Sequence, residues 1–142
     1  MRIVFAIDGS ARSLRGVDYL ARHRAQFIDG HELILVHVCP RVPSHAARHL
    51  PRGAVARYYQ EEAAKALQPV EEALARAGIA GWRTDCRHGR AAEQVLDAAN
   101  AAGAEMIVVG LRDVVIFGRP LPGSVGARIA AMTKQVAVLL VP

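Results

Sequence analysis

Short apolar runs alternate along this chain with longer stretches in which apolar positions recur every three or four residues. Ile3-Val4-Phe5-Ala6-Ile7 is almost continuously apolar, which predicts a strand buried on both faces over Arg2 to Ile7. Asp8-Gly9-Ser10 breaks it, and Ser10 can cap a following helix. From Ala11 to Gln26, Leu14, Val17, Leu20 and Ala21 keep helical spacing, and Asp29-Gly30 then turns the chain. Leu33 to Val38 predicts a second buried strand. Cys39 to Gly53 contains three prolines and no period, so it reads as a long loop. A long helix is predicted from Ala54 to Ala77, closed by Gly78. Trp82 to Arg87 alternates like a third strand nearer the sheet edge. A helix from Arg90 to Ala102 ends at Gly103. A fourth strand (Glu105 to Val109), a glycine-bounded loop, a helix (Val125 to Thr133) and a last strand (Val136 to Val141) complete the chain.

Strict alternation of single strands and helices implies parallel strands joined by right-handed crossovers, with helices on both faces of the sheet. The fold class is therefore α/β, a doubly wound sheet in one domain over residues 1–142. Composition agrees: 52% of residues are apolar and only 5% aromatic, which suits small side chains packing helices on a sheet. No apolar run approaches the roughly 18 residues that a bilayer requires. The first strand begins at once and leaves no room for a signal peptide. Cys39 and Cys86 have neither CxxC spacing nor the count of a disulfide framework, so the expected setting is the reducing cytoplasm. The net charge of +5 comes from scattered arginines without a basic run or interleaved aromatics, which argues against nucleic acid. A positive field still favours a phosphorylated ligand.

Candidate chemistry concentrates at two places. Gly110-Leu111-Arg112-Asp113 follows the fourth strand, and Gly123-Ser124 opens the helix after it. Free N–H groups at a helix start favour phosphate, and glycine lets phosphate approach the backbone. In open parallel sheets ligands bind beyond the carboxyl ends of the strands, where the connections diverge. With the first strand central, that point lies between strands one and four, so Asp8-Gly9-Ser10 and the Gly110 loop should meet. An aspartate there can accept hydrogen bonds from a ribose or an adenine-side group. Neither GxxxxGK[ST] nor a GxGxxG after the first strand occurs.

These features together resemble the universal stress protein family over essentially the full length. The resemblance is carried by Ile7-Asp8-Gly9-Ser10 with Ser13, Leu35-Val36-His37-Val38, Gly89 to Glu93, Ile107-Val108-Val109-Gly110, Gly123-Ser124-Val125 and Val136 to Val141. It implies the adenine nucleotide alpha hydrolase-like fold, a five-stranded parallel sheet in the order 3-2-1-4-5. It also implies a binding protein of the stress response that holds ATP or a related adenine nucleotide, with or without Mg²⁺. Asp8 and Gly9 would lie at the ribose and adenine side, and Val38 would hold adenine through its backbone. Gly110 and Arg112 would stand near ribose or phosphates, with Gly123, Ser124 and Val125 on the phosphates. A homodimer through the last strand is implied as well.

The family's nucleotide motif, G-x2-G-x9-G-[S/T], reads here as Gly110-x2-Asp113-x9-Gly123-Ser124, with its second glycine replaced. Aspartate tolerates positive φ better than most residues. Its charge matters more: two like charges about 4 Å apart repel by about 4 kcal/mol at an effective dielectric of 20. Arg112, Arg119 or Mg²⁺ could compensate, and Cys39 lies near enough to line the adenine side. If Asp113 abolishes binding, the same fold would serve as a dimeric interaction module without nucleotide. The apolar Val114 to Phe117 and Pro120 to Pro122 could cover adenine or pack the site shut.

Other residues read as structure. His45 and His49 lack a third ligand and belong to a solvated loop. His37 is a packed, hydrogen-bonded core residue. Ser10 and Ser13 are helix caps, since no GxSxG or partnered His/Asp signature accompanies them. Glu61-Glu62 and Glu71-Glu72 form a solvated helix face. The sequence offers no enzyme constellation, and slow ATP hydrolysis would lack an evident base or arginine finger.

Overall fold

The computed structural model describes residues 1–111, 115–116, 119–120 and 124–142, the two short pairs by their backbone alone. Strands β1 (Arg2–Ile7), β2 (Glu32–Cys39), β3 (Arg83–His88) and β4 (Met106–Gly110) are followed by a small antiparallel pair, β5 (Val115–Ile116) with β6 (Arg119–Pro120), and by β7 (Ala137–Val141). The main sheet is all parallel in the order β3-β2-β1-β4-β7, which is 3-2-1-4-5 counted along its own strands. The helices are α1 (Ala11–Arg22), α2 (Arg24–Phe27), α3 (Ser44–Ala47), α4 (Ala54–Arg76), α5 (Ala91–Ala102) and α6 (Val125–Met132). The fold expected from the sequence and the resemblance is the one observed.

β1 is central because both of its faces are apolar. Ile3 and Phe5 pack with Leu20 of α1 and Val70 and Leu74 of α4. Val4 turns to the other side, where α5 and α6 bring Val95, Ala98 and Ile129 against Ile107. Each fully buried side chain of this kind contributes about 1.5–3 kcal/mol, so a strand with apolar residues on one face only would be a weaker centre. β3 is largely exposed at one edge, as its alternation predicted. β7, partly buried and apolar, forms the other edge.

The structure departs from the sequence reading in three places. The first helix does not run unbroken to Gln26: it stops at Arg22, and α2 is a separate turn. His23 explains the break, since its backbone N–H and its Nδ1 both lie within hydrogen-bond reach of the Tyr19 carbonyl while its ring stacks on Tyr19 at 4.3 Å. A side chain that takes a helix carbonyl competes with the helix itself. The stretch from Cys39 to Gly53 is not loop throughout, because Pro43 starts the short α3 by accepting from the N–H groups of Ala46 and Ala47. The β5–β6 pair lies inside the segment read as a glycine-bounded loop. The idea that the apolar side chains of that segment cover or close the site lies outside the described residues. Elsewhere element ends shift by a residue or so, and α4 continues through Pro69 although proline has no N–H to donate.

Candidate functional site

α1 and α4 connect strands on one face of the sheet, α5 and α6 on the other. The connections therefore diverge between β1 and β4, and a cleft opens at the carboxyl ends of those strands. It holds a cavity of about 230 Å³. Its apolar wall is made by Val36 and Val38 of β2, Val95 of α5 and Val109 of β4. Its polar wall is made by Asp8, Arg12 and Ser13, Gly110 adjoins Arg12, and Ser124, Val125 and Gly126 complete the lining.

Asp8 is the best-satisfied group of the cleft. Its Oδ1 accepts from the Ser10 N–H at 2.9 Å, the Ser10 hydroxyl at 2.6 Å and the Ser13 hydroxyl at 3.1 Å. Ser13 in turn accepts from the Asp8 N–H at 3.1 Å, so one buried hydroxyl fixes both ends of the aspartate. Oδ2 pairs with the Arg12 guanidinium, whose Nε also donates to the Ser10 hydroxyl at 3.1 Å. Burial opposes ionisation of Asp8, but Ser10 and Arg12 outweigh it and lower its pKa from 3.8 to about 2. Gly9 makes this arrangement possible. It sits at φ +78°, and a Cβ there would lie 2.9 Å from the Ala66 Cα of α4.

The rest of the lining is shaped by backbone. Ser124 caps α6, its hydroxyl accepting from the Ala127 N–H at 3.2 Å, and leaves the first N–H groups of the helix at the cleft. Behind it, Arg128 of α6 donates to Glu93 of α5 at 3.1 Å. At Gly110 a Cβ would stand 2.7 Å from the Arg12 carbonyl oxygen and 2.9 Å from the Arg12 Cβ, so only glycine lets β4 pass α1 this closely. The next residue is held from two sides. Leu111 N–H donates to the Val141 carbonyl at 2.7 Å, and the Leu111 carbonyl accepts from Arg15 at 3.2 Å.

Of the residues singled out from sequence, Asp8, Val38, Gly110, Ser124 and Val125 meet around one cavity. Gly9 is not on its wall and serves the turn beneath Asp8. Arg112, Asp113 and Gly123 lie outside the described residues, as does the side chain of Arg119. Cys39 is corrected: alternation along β2 turns it away from Val38, toward Tyr58 of α4, and burial and Glu62 push its thiol up. His37 shares that face and is buried as expected, but among the described residues its Nδ1 has no hydrogen-bond partner, and burial lowers its pKa. Ser10 is the cap of α1, whereas Ser13 lies inside the helix and acts as the strut of Asp8. His45 and His49 are exposed, and among the described residues no three metal-ligating side chains come together.

Sequence reasoning missed Arg12. It counts there as one of many scattered arginines. The available signal was its position four residues after Asp8, which places a cation over a carboxylate once the chain turns into a helix.

The model of the universal stress protein family matches residues 1–142. No curated protein matches the chain by sequence. Among solved structures, the chain is similar to a universal stress protein in complex with cAMP, at 23% identity and a TM-score of 0.73, covering 100% of this chain and 97% of that one. It is similar to the universal stress protein from Archaeoglobus fulgidus in complex with dAMP, at 21% identity and a TM-score of 0.66, covering 100% and 98%. A universal stress protein family member from Arabidopsis thaliana with AMP bound is 15% identical, with a TM-score of 0.65, covering 99% and 90%.

Proposed function

Because the chain belongs to the universal stress protein family, we propose that it binds ATP or a related adenine nucleotide in the cleft between the ends of β1 and β4, and that it acts through binding rather than turnover. The observation that carries this reading is the convergence of an apolar wall, an ionised Asp8 and the start of α6 on one cavity. Each part matches one part of a nucleotide. Val36, Val38, Val95 and Val109 suit a flat apolar base, and backbone groups of Val38 can hydrogen-bond its edge. Asp8 suits the ribose hydroxyls. Ser124 and Val125, at the positive end of a helix, suit phosphate. The cavity of about 230 Å³ is smaller than the roughly 300–1,000 Å³ usual for ligand sites. Base and ribose therefore fill it, and the phosphates lie at its mouth. The fold-sharing proteins that hold cAMP, dAMP or AMP support the adenosine monophosphate unit as the shared element of recognition. Mg²⁺, when bound with ATP, would offset charge beside Asp113.

The protein would work in the cytoplasm, as a homodimer joined along the apolar edge of β7. No described helix is long and apolar enough to cross a membrane.

The test is to denature the purified protein, identify any released nucleotide, and titrate ATP with and without Mg²⁺. Absence of both release and binding in the high-micromolar range overturns the reading. Asp113→Gly should tighten ATP binding by at least about tenfold, since the repulsion reaches about 4 kcal/mol before solvent screening. An unchanged affinity would mean that Asp113 faces away from the phosphates.

A further inference from the structure

Arg12 occupies the oxygen that a ribose would need. Oδ1 of Asp8 is held by Ser10 and Ser13, whereas among the described residues the only hydrogen-bond partner of Oδ2 is the Arg12 guanidinium. Arg12 also starts from the seam between β1 and β4, its Cβ pressed against Gly110, and lines the same cavity as Ser124 and Val125. One flexible cation thus stands between the ribose side of the cleft and the phosphate side. We infer that Arg12 is the phosphate-recognising and specificity-determining residue of this site: it covers Asp8 while the cleft is empty and moves its charge onto the ligand phosphate when a ribose hydroxyl takes Oδ2.

This inference rests on the nucleotide reading above and sharpens it to a preference for nucleotides over nucleosides. A nucleoside must uncover Asp8 and gives Arg12 nothing in return. A nucleotide replaces one charge-assisted contact by another, so its binding sets the displaced guanidinium against an anion. The exchange needs no change in the backbone, because the arginine side chain alone moves. It also supplies a cation that the sequence sought only within the loop.

Calorimetric titration of adenosine and AMP into the wild type, Arg12→Ala and Arg12→Gln tests it, with folding of each variant confirmed by thermal melting. The wild type should bind AMP more tightly than adenosine. Arg12→Ala should cut the advantage of AMP over adenosine by about tenfold to a hundredfold, the range of one charged hydrogen bond. The loss of that advantage should come chiefly from tighter adenosine binding, because Oδ2 is uncovered and no contact has to be broken. Arg12→Gln, which keeps a hydrogen-bonding group without the charge, should lose AMP's advantage to the same extent. A merely structural role would weaken both ligands by the same factor, and a spectator would change neither. Either result overturns the inference while leaving nucleotide binding intact. Failure of the wild type to bind either ligand overturns the nucleotide reading itself, and this inference with it.

Discussion

Asp8→Asn removes one charge and keeps the shape of the side chain, so it isolates what ionisation of Asp8 contributes to the fold. The carboxyl lies at a pKa of about 2 against an ordinary 3.8, because Ser10 and Arg12 outweigh the cost of its burial. At about 1.4 kcal/mol per pKa unit, that shift sets a ceiling of about 2.5 kcal/mol. The side chain is 49% exposed, so solvent screens the interactions and about 1 kcal/mol remains. The sign follows from a folded-state pKa that is depressed. The contribution is fully present above the unfolded value near 3.8 and disappears as the pH falls through about 2. About half of it is gone by pH 3. Urea unfolding of wild type and variant from neutral pH to about pH 3 measures the difference. Glu32, also held low by Arg2 and Arg83, titrates in both proteins and cancels. The wild type should be more stable by about 1 kcal/mol at neutral pH, with the gap narrowing in acid. A gap that stays flat to pH 3, or widens there, would refute the account of Asp8 as an ion held by Ser10 and Arg12.

Gly110→Ala should destabilise the protein by about 1–3 kcal/mol, the usual cost of overpacking, because the new methyl meets Arg12 backbone at 2.7 Å. Denaturant midpoints check it, and a neutral substitution would show that α1 and β4 can separate freely. The proposed dimer can be addressed at Val138. Ala137 N–H points inward to the Glu105 carbonyl, so by alternation the Val138 N–H points out of the sheet edge. Val138→Pro should therefore keep the monomer fold and shift sedimentation from dimer to monomer. A dimer that persists would place the interface elsewhere. Exchange of residues 112–122 for a Gly/Ser segment of equal length should leave a single cooperative melt near the wild-type temperature while weakening nucleotide binding. Loss of the cooperative transition would make the segment part of the folding unit.

The sheet was legible because its signals are local and redundant. Ile3 to Ile7, Leu33 to Val38 and Ile107 to Val109 are continuous apolar runs, and glycines or prolines separate the elements. The two halves of the cleft were legible for a topological reason, since a central first strand forces Asp8 and Gly110 together. What escaped depends on side-chain direction. The break at His23 arises from an imidazole reaching back to Tyr19, which no propensity encodes. Cys39 sits one residue from Val38 and faces the opposite way, so nearness in sequence misplaced it. Arg12 looks like an ordinary surface arginine until the turn at Gly9 swings Asp8 beneath it.

Leu111 and Ser124 are the two points where the frame holds the ends of the segment between β4 and α6. The first is gripped by Val141 and Arg15, and the second is locked as the cap of α6. The consequence concerns how this protein can evolve. A change at Arg15, Ser124 or Gly110 strikes the frame and the cleft at once, so selection on either one constrains these three positions.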